Sequence, residues 1–221
     1  MAYGPGSDLF GFAAAGIELQ STSISPQGSE AQAADENGDI QESTVYGAWS
    51  TASQTYKVGG GTTATLPNIG SKPTAHYITK IEVKRSNNDV LTITIEGVSE
   101  AFVTSTPKEY DVGAVMPTGY LVGGKGAVLA GITLSAGKVI SSSISCGVSL
   151  TPPMLSAAGA VVDMDIFGGR MDATNECQSA TVITPAADTG WALAPGTGSA
   201  ADSNTSYSTQ TVTAFRNVLG V

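Results

Sequence analysis

The chain has 221 residues, 13% of them charged and 41% hydrophobic, with a formal net charge of −9. That length buries a real core as one large β-domain or as two modules of about 100 residues each, and its apolar content excludes a disordered chain. Ten Lys and Arg against nineteen Asp and Glu argue against tight binding to nucleic acid, which requires cations on phosphates. No run reaches the roughly 18 apolar residues of a membrane span.

In chain order, residues 1–16 read as an N-terminal arm without the basic n-region of a secretory leader. A strand is predicted over Ile17–Ser25. An acidic stretch follows, Glu30, Asp35, Glu36, Asp39 and Glu42, with no Lys or Arg before Lys57. Asp35-Glu36-Asn37-Gly38-Asp39 offers oxygen ligands, but Gly38 comes one place early for a Ca²⁺ loop, so the segment reads as a polar turn. A second strand covers Val45–Val58, and Gly59-Gly60-Gly61 with Pro67 marks a long loop over Val58–Pro73. Across His76–Val98 apolar and polar residues alternate on both sides of Ser86-Asn87-Asn88-Asp89, the pattern of a β-hairpin.

Residues 102–127 are rich in Gly and Pro and read as a linker or arm. Within them, Gly119 to Lys125 fits G-x-x-x-x-G-K, but Gly126 stands where a phosphate loop needs Ser or Thr. Further strands are predicted at Val128–Leu134, Val139–Leu150, Val161–Ile166, Arg170–Ile183 and Ser206–Val218, with one short helix around Pro153–Ala158. A second long loop spans Thr184–Ser203. Long loops in a compact domain are usually functional, and two in matching places suggest contacts with neighbouring subunits.

The halves match each other. Leu19–Ser25 returns as Val139–Ser145, an offset of 120 (139 − 19), and Gly38 with Tyr46-Gly47 returns as Gly159 with Phe167-Gly168, an offset of 121 (159 − 38). Ser86–Ile95 returns as Ser203–Val212, an offset of 117 (203 − 86). The expected architecture is therefore all-β with little helix: two tandem, internally duplicated sandwich or barrel modules with long loops. Their bounds are 17–101 and 128–221, and the turn at Asn87-Asn88 should correspond to Asn204-Thr205.

Chemistry is thinly supplied. The one histidine, His76, opens a strand with no nucleophile motif beside it, and Cys146 and Cys177 have no counterparts in the first half. They read as buried free thiols. No catalytic residue, cofactor or metal site is expected, and Asn204-Thr205-Ser206 matters as a glycosylation sequon only in a secretory compartment. So few surface charges imply a surface that is not meant to face water alone.

A signal-less, acidic chain rich in Gly, Ala, Ser and Thr, with Ala33-Ala34-Asp35-Glu36-Asn37-Gly38-Asp39-Ile40, Val45-Tyr46-Gly47 and the Ser86-Asn87-Asn88 hairpin, resembles bacteriophage virion proteins, tail tube proteins above all. That resemblance implies a non-enzymatic structural subunit, made in the host cytoplasm and located in the virion. It would form homo-oligomeric rings around a DNA channel, with three chains supplying six modules, and would meet other virion proteins. Tyr56–His76 and Phe102–Gly126 are the candidates for the hairpin that couples stacked rings in that family. Glu30, Asp35, Glu36, Asp39 and Glu42 would line the channel and repel phosphate. A capsid decoration or head–tail joining protein is an alternative. So is a carbohydrate- or surface-binding module, with Trp49, Trp191 and Tyr207 as stacking residues.

Overall fold

Period-two alternation builds this molecule, because successive side chains of a strand point to opposite faces. The computed structural model describes residues 7–99, 108–181, 183–195, 199–201 and 208–218. The first half contributes β1 (Ile17–Ala34), β2 (Ile40–Val58), β3 (Tyr77–Ser86) and β4 (Leu91–Val98). The second contributes β5 (Ile132–Leu134), β6 (Lys138–Leu150), β7 (Met154–Leu155), β8 (Val161–Asp163), β9 (Ile166–Ser179), β10 (Pro185–Ala187), β11 (Ala192–Leu193), β12 (Ser199–Ala201) and β13 (Ser208–Val218). Among the described residues the one helical element is a 3-10 turn, Gly113–Val115.

The fold is all-β, and both halves share one nine-stranded antiparallel sheet. Its order is β1-β2-β4-β3-β6-β9-β13-β11, with β12 also on β13. The halves meet where β3 pairs with β6, Val83 opposite Ile144. One face is apolar: Tyr56, Ile81, Ile93, Ile144, Met171 and Val212 are all fully buried. At roughly 25 cal/mol per Å², burial of such side chains is the main term holding the sheet to its cover.

That cover is irregular chain rather than a second large sheet. Leu9, Phe10 and Phe12 come from the N-terminal segment, Leu66 and Ile69 from the loop after β2, and Tyr110, Val112 and Tyr120 from the segment between the halves. The expected linker over 102–127 is thus, from 108 onward, part of the core wall. Its Gly and Pro residues let the chain turn repeatedly across the sheet, while Tyr110, Val112 and Tyr120 anchor it.

Strand register repeats between the halves. Leu19 opposes Tyr56 in the first hairpin and Val139 opposes Cys177 in the second, offsets of 120 (139 − 19) and 121 (177 − 56). The bulge between Leu19 and Ser21 recurs between Val139 and Ser141, and that between Gln27 and Ser29 recurs between Gly147 and Ser149. Val83 opposes Ile93 in β3–β4 as Ala200 opposes Gln210 in β12–β13, both shifted by 117 (200 − 83; 210 − 93). A one-residue slip would flip every side chain to the other face, so register is tightly specified. The turn expected at Asn204-Thr205 lies outside the described residues.

The short helix expected at Pro153–Ala158 is not formed. Met154 and Leu155 are strand, and the chain then turns with Ser156 N–H on the Ala160 carbonyl and Gly159 N–H on the Ser156 carbonyl. Gly159, at φ 77°, takes a left-handed conformation that closes the turn and stops a helix.

Candidate assembly site

Beyond the sheet body, β1 and β2 continue together as a ribbon. Residues 40–50 of β2 pair only with β1, whereas Thr51–Val58 also pair with β4. From Ser25 to Ala34 every residue of β1 is exposed, as are Ile40–Val45 of β2. Ten strand residues at about 3.3 Å each carry the tip roughly 30 Å out. A two-stranded ribbon is marginal in water; this one is braced where Gly47 N–H meets the Gly159 carbonyl, yet it exposes Ile40 and Val45 by 58% and 67%. The two segments expected to project as hairpins do not form this ribbon: Tyr56–His76 is the end of β2 and a loop that buries Leu66 and Ile69, and the described part of Phe102–Gly126 buries Tyr110, Val112 and Tyr120.

All five acidic residues sit on it. Glu30 lies on β1, Glu42 on β2 opposite Ala33, and Asp35, Glu36 and Asp39 form the tip. Asp35 organises the turn: its Oδ1 accepts the amides of Asn37 and Asp39 at 2.9 Å each, and its Oδ2 accepts from Gln41 at 2.8 Å. The Asp39 and Asn37 amides hold its carboxyl below the usual range. The hydroxyl of Ser43 and the amide of Gln32 do the same for Glu30. The turn between β7 and β8 is built similarly: Ser156 stands 121 positions after Asp35 (156 − 35), and its Oγ accepts the Ala160 amide at 3.2 Å.

The second-half tip is docked. Gly47 of β2 donates its N–H to the Gly159 carbonyl. A Cβ on Gly159 would stand 2.7 Å from Tyr46 Cβ, and one on Gly47 would stand 3.2 Å from Leu155. Gly168 and Gly38, each 121 positions from Gly47 and Gly159 (168 − 47; 159 − 38), are also left-handed, at φ 67° and 86°. Among the described residues, nothing lies within 4 Å of a Cβ built on either.

The sheet face away from the core is polar, with Ser53, Thr55, Thr94, Ser143 and Thr174 on neighbouring strands. Four of its cations are paired: Lys57–Asp89, Lys80–Glu96 and Lys84–Glu82 at 3.1 Å, and Arg170–Asp172 at 2.7 Å. The acidic ribbon residues lie beyond this face, not on it.

The remaining candidates for chemistry are buried. His76 is 0% exposed, its Nε2 is 3.3 Å from Ser50 Oγ, and burial, with Lys72 nearby, holds its pKa down. Cys146 and Cys177 are free and buried, and burial pushes the Cys146 thiol up to about 12. Cys146 pairs with Met171, six positions along β9 from Cys177 (177 − 171), about 20 Å at strand spacing. Among the described residues no three His, Cys, Asp or Glu side chains stand together as a metal site, and no helix is long and apolar enough to cross a membrane.

Sequence reasoning missed Arg85. Its guanidinium donates to the carbonyls of Gly126, Gly119, Tyr120 and Val122 at 2.9, 3.2, 2.9 and 2.6 Å. The Gly119–Gly126 segment therefore turns carbonyl oxygens, not amides, to its concave side, the wrong polarity for phosphate. Trp49 lines a shallow cleft with Ser23 and Ser25, while Trp191 packs on Gly131, so these two do not form one stacking platform. Tyr207 lies outside the described residues. No family model and no curated protein matches the chain.

Proposed function

We propose that this chain is a non-enzymatic structural subunit of a bacteriophage particle: a tail-tube-like protein, built from two tandem copies of one β-module, that joins head to tail into rings. The β3–β6 junction carries the reading. The first half runs β1-β2-β4-β3, and the long strands of the second half follow the same order, β6-β9-β13, with the short β11 and β12 outside on β13 where β3 lies outside on β4. The third strand of the first module meets the first strand of the next, so the two edges of a module complement each other. The same two edges border the sheet at β1 and at β12.

Repeating the internal junction between chains fixes the register. Glu82, Val83 and Lys84 face Ser145, Ile144 and Ser143 within the chain. Shifting these by 117 and by 120 positions sets Ser199, Ala200 and Ala201 of one copy against Ser25, Ile24 and Ser23 of the next. Strand addition at an open edge satisfies the backbone groups that otherwise seed uncontrolled pairing. The contact is heterologous, so it closes into a ring when the rotation per module divides a full turn; three chains would supply six modules.

The hydroxyl-rich face, on which Lys57, Lys80 and Lys84 are each paired with a carboxylate, suits a channel wall, since neutralised lysines do not capture phosphate. The resemblance to tail tube proteins supplies the particle and the virion location; the matched edges support the ring. Electron microscopy of the purified protein tests the reading. Rings or stacked tubes are expected, and a compact monomer at every concentration would contradict it.

A further inference from the structure

We propose that the acidic turn at the end of the β1–β2 ribbon seats on Phe167–Gly168 of a second copy of this chain, steered there by Lys108 and Arg170. This rests on the head-to-tail reading above and names the partner surface of the ribbon.

The seat has a template inside the chain. Within one molecule the tip of the second hairpin docks on Tyr46-Gly47 of the first, through Gly47 N–H and the Gly159 carbonyl. Moved forward one module, Gly159 becomes Gly38 of the next copy, and Gly47 becomes Gly168, both by the offset of 121 (159 − 38; 168 − 47). Both glycines keep the required backbone and have open space where the template is filled. Phe167, the counterpart of Tyr46, is 52% exposed. The two contacts also agree in direction: the module whose first strand pairs with its neighbour's third strand is the module whose tip docks on that neighbour.

Charge separates the two versions of the contact. The internal tip carries Ser156, Ala157 and Ala160, and its seat continues into Ala48 and Trp49, all uncharged. At the same places the outer tip carries Asp35, Glu36 and Asp39, and its seat continues into Gly169 and Arg170. Lys108 and Arg170 line one surface cavity with Gly168. Arg170 is half-exposed, paired with Asp172 at 2.7 Å and lying over the Phe215 ring at 4.7 Å, so its position is fixed before any tip arrives. Like-for-like neutral contact serves within the chain, where the linkage already guarantees pairing. Opposite charge serves between chains, where it speeds encounter and selects register.

Glu36 and Asp39 are the residues to change, because alanine stands at both places in the second-half tip. The experiment measures self-association by sedimentation for wild type, Glu36→Lys/Asp39→Lys, Arg170→Glu, and all three changes together. Each reversal alone should weaken association at least about tenfold, and the combination should restore most of it. Wild-type association should weaken between about 0.05 and 0.3 M salt as the Debye length shortens. Lys108→Glu, in the same cavity, replaces Arg170→Glu if melting shows that the latter disturbs β9. Reversals without effect, or a combination as weak as either part, would overturn the seat. A disulfide between Ser23→Cys and Ala201→Cys of neighbouring copies separates the two ideas. If that bond forms while tip charge is immaterial, the seat fails and head-to-tail joining stands. If it does not form, the reading on which the seat rests fails.

Discussion

Ile24 and Ile144 occupy the same place in two hairpins, opposite Ala52 and Ala173, yet Ile24 is 38% exposed and Ile144 is fully buried. The difference is β3, which lies along β6 and has no counterpart along β1 among the described residues. Ile144→Ala should cost about 2–5 kcal/mol of stability, as core truncations do. Ile24→Ala should cost well under about 1 kcal/mol in the separated chain but weaken association. Denaturant unfolding of both variants, with sedimentation of the second, checks this.

Gln54 and Asn175 also correspond, at an offset of 121 (175 − 54), and each buried amide clamps the segment entering its half. Gln54 Oε1 accepts Leu9 N–H at 2.8 Å, and Asn175 exchanges two bonds with the backbone of Ala130, at 2.8 and 2.9 Å. Replacing either by Leu leaves buried backbone groups without partners, at about 1–3 kcal/mol each. Hydrogen exchange at Leu9 should rise in Gln54→Leu alone, and at Ala130 in Asn175→Leu alone.

Arg85 holds the segment between the halves by donating to four carbonyls. Arg85→Met should destabilise the fold by about 3 kcal/mol, since those oxygens lose their donors in a dry site. Lys should not restore it, because an ammonium lacks the planar five-donor fork. Thermal unfolding of the two variants reads this directly.

Acid should loosen the N-terminal segment first. Burial alone would raise the Asp8 carboxyl, but the Tyr56 hydroxyl at 2.7 Å and the amides of Ala13, Phe12 and Phe10 together hold it below its ordinary 3.8. A depressed carboxyl contributes stability that is present above its unfolded pKa and is lost as pH falls through the folded one. Stability should therefore fall below about pH 3.8, and Asp8→Asn should flatten that fall. Unfolding midpoints measured between about pH 2 and pH 6 check it.

The hairpin at Tyr77–Val98 is plain in the sequence, because alternation, β-branched residues and an Asn-rich turn agree there. The extent of β1 is not. Pro26 and Gly28 suggest an end at Ser25, yet a strand with one open edge tolerates Pro, whose missing N–H is not needed on that side. The ribbon therefore escapes a reading of the sequence, and the acids on it look like a loop. Residues 108–126 look like a linker because glycine and proline outnumber Tyr110, Val112 and Tyr120, which do the packing. Arg85 gives no signal, since its partners are backbone carbonyls that every residue carries.

The most direct measurement is the register of the contact between copies. Ser23→Cys with Ala201→Cys places thiols at the positions that Ser143 and Lys84 occupy across the internal junction. Oxidation should give covalent dimers and higher multimers, resolved by mass spectrometry to a disulfide joining position 23 of one chain to position 201 of another. The slipped pair Ser23→Cys with Ala200→Cys should give few, because one residue of slip turns a side chain to the other face. Equal trapping by both pairs, or none by either, would contradict an edge-to-edge junction of this register.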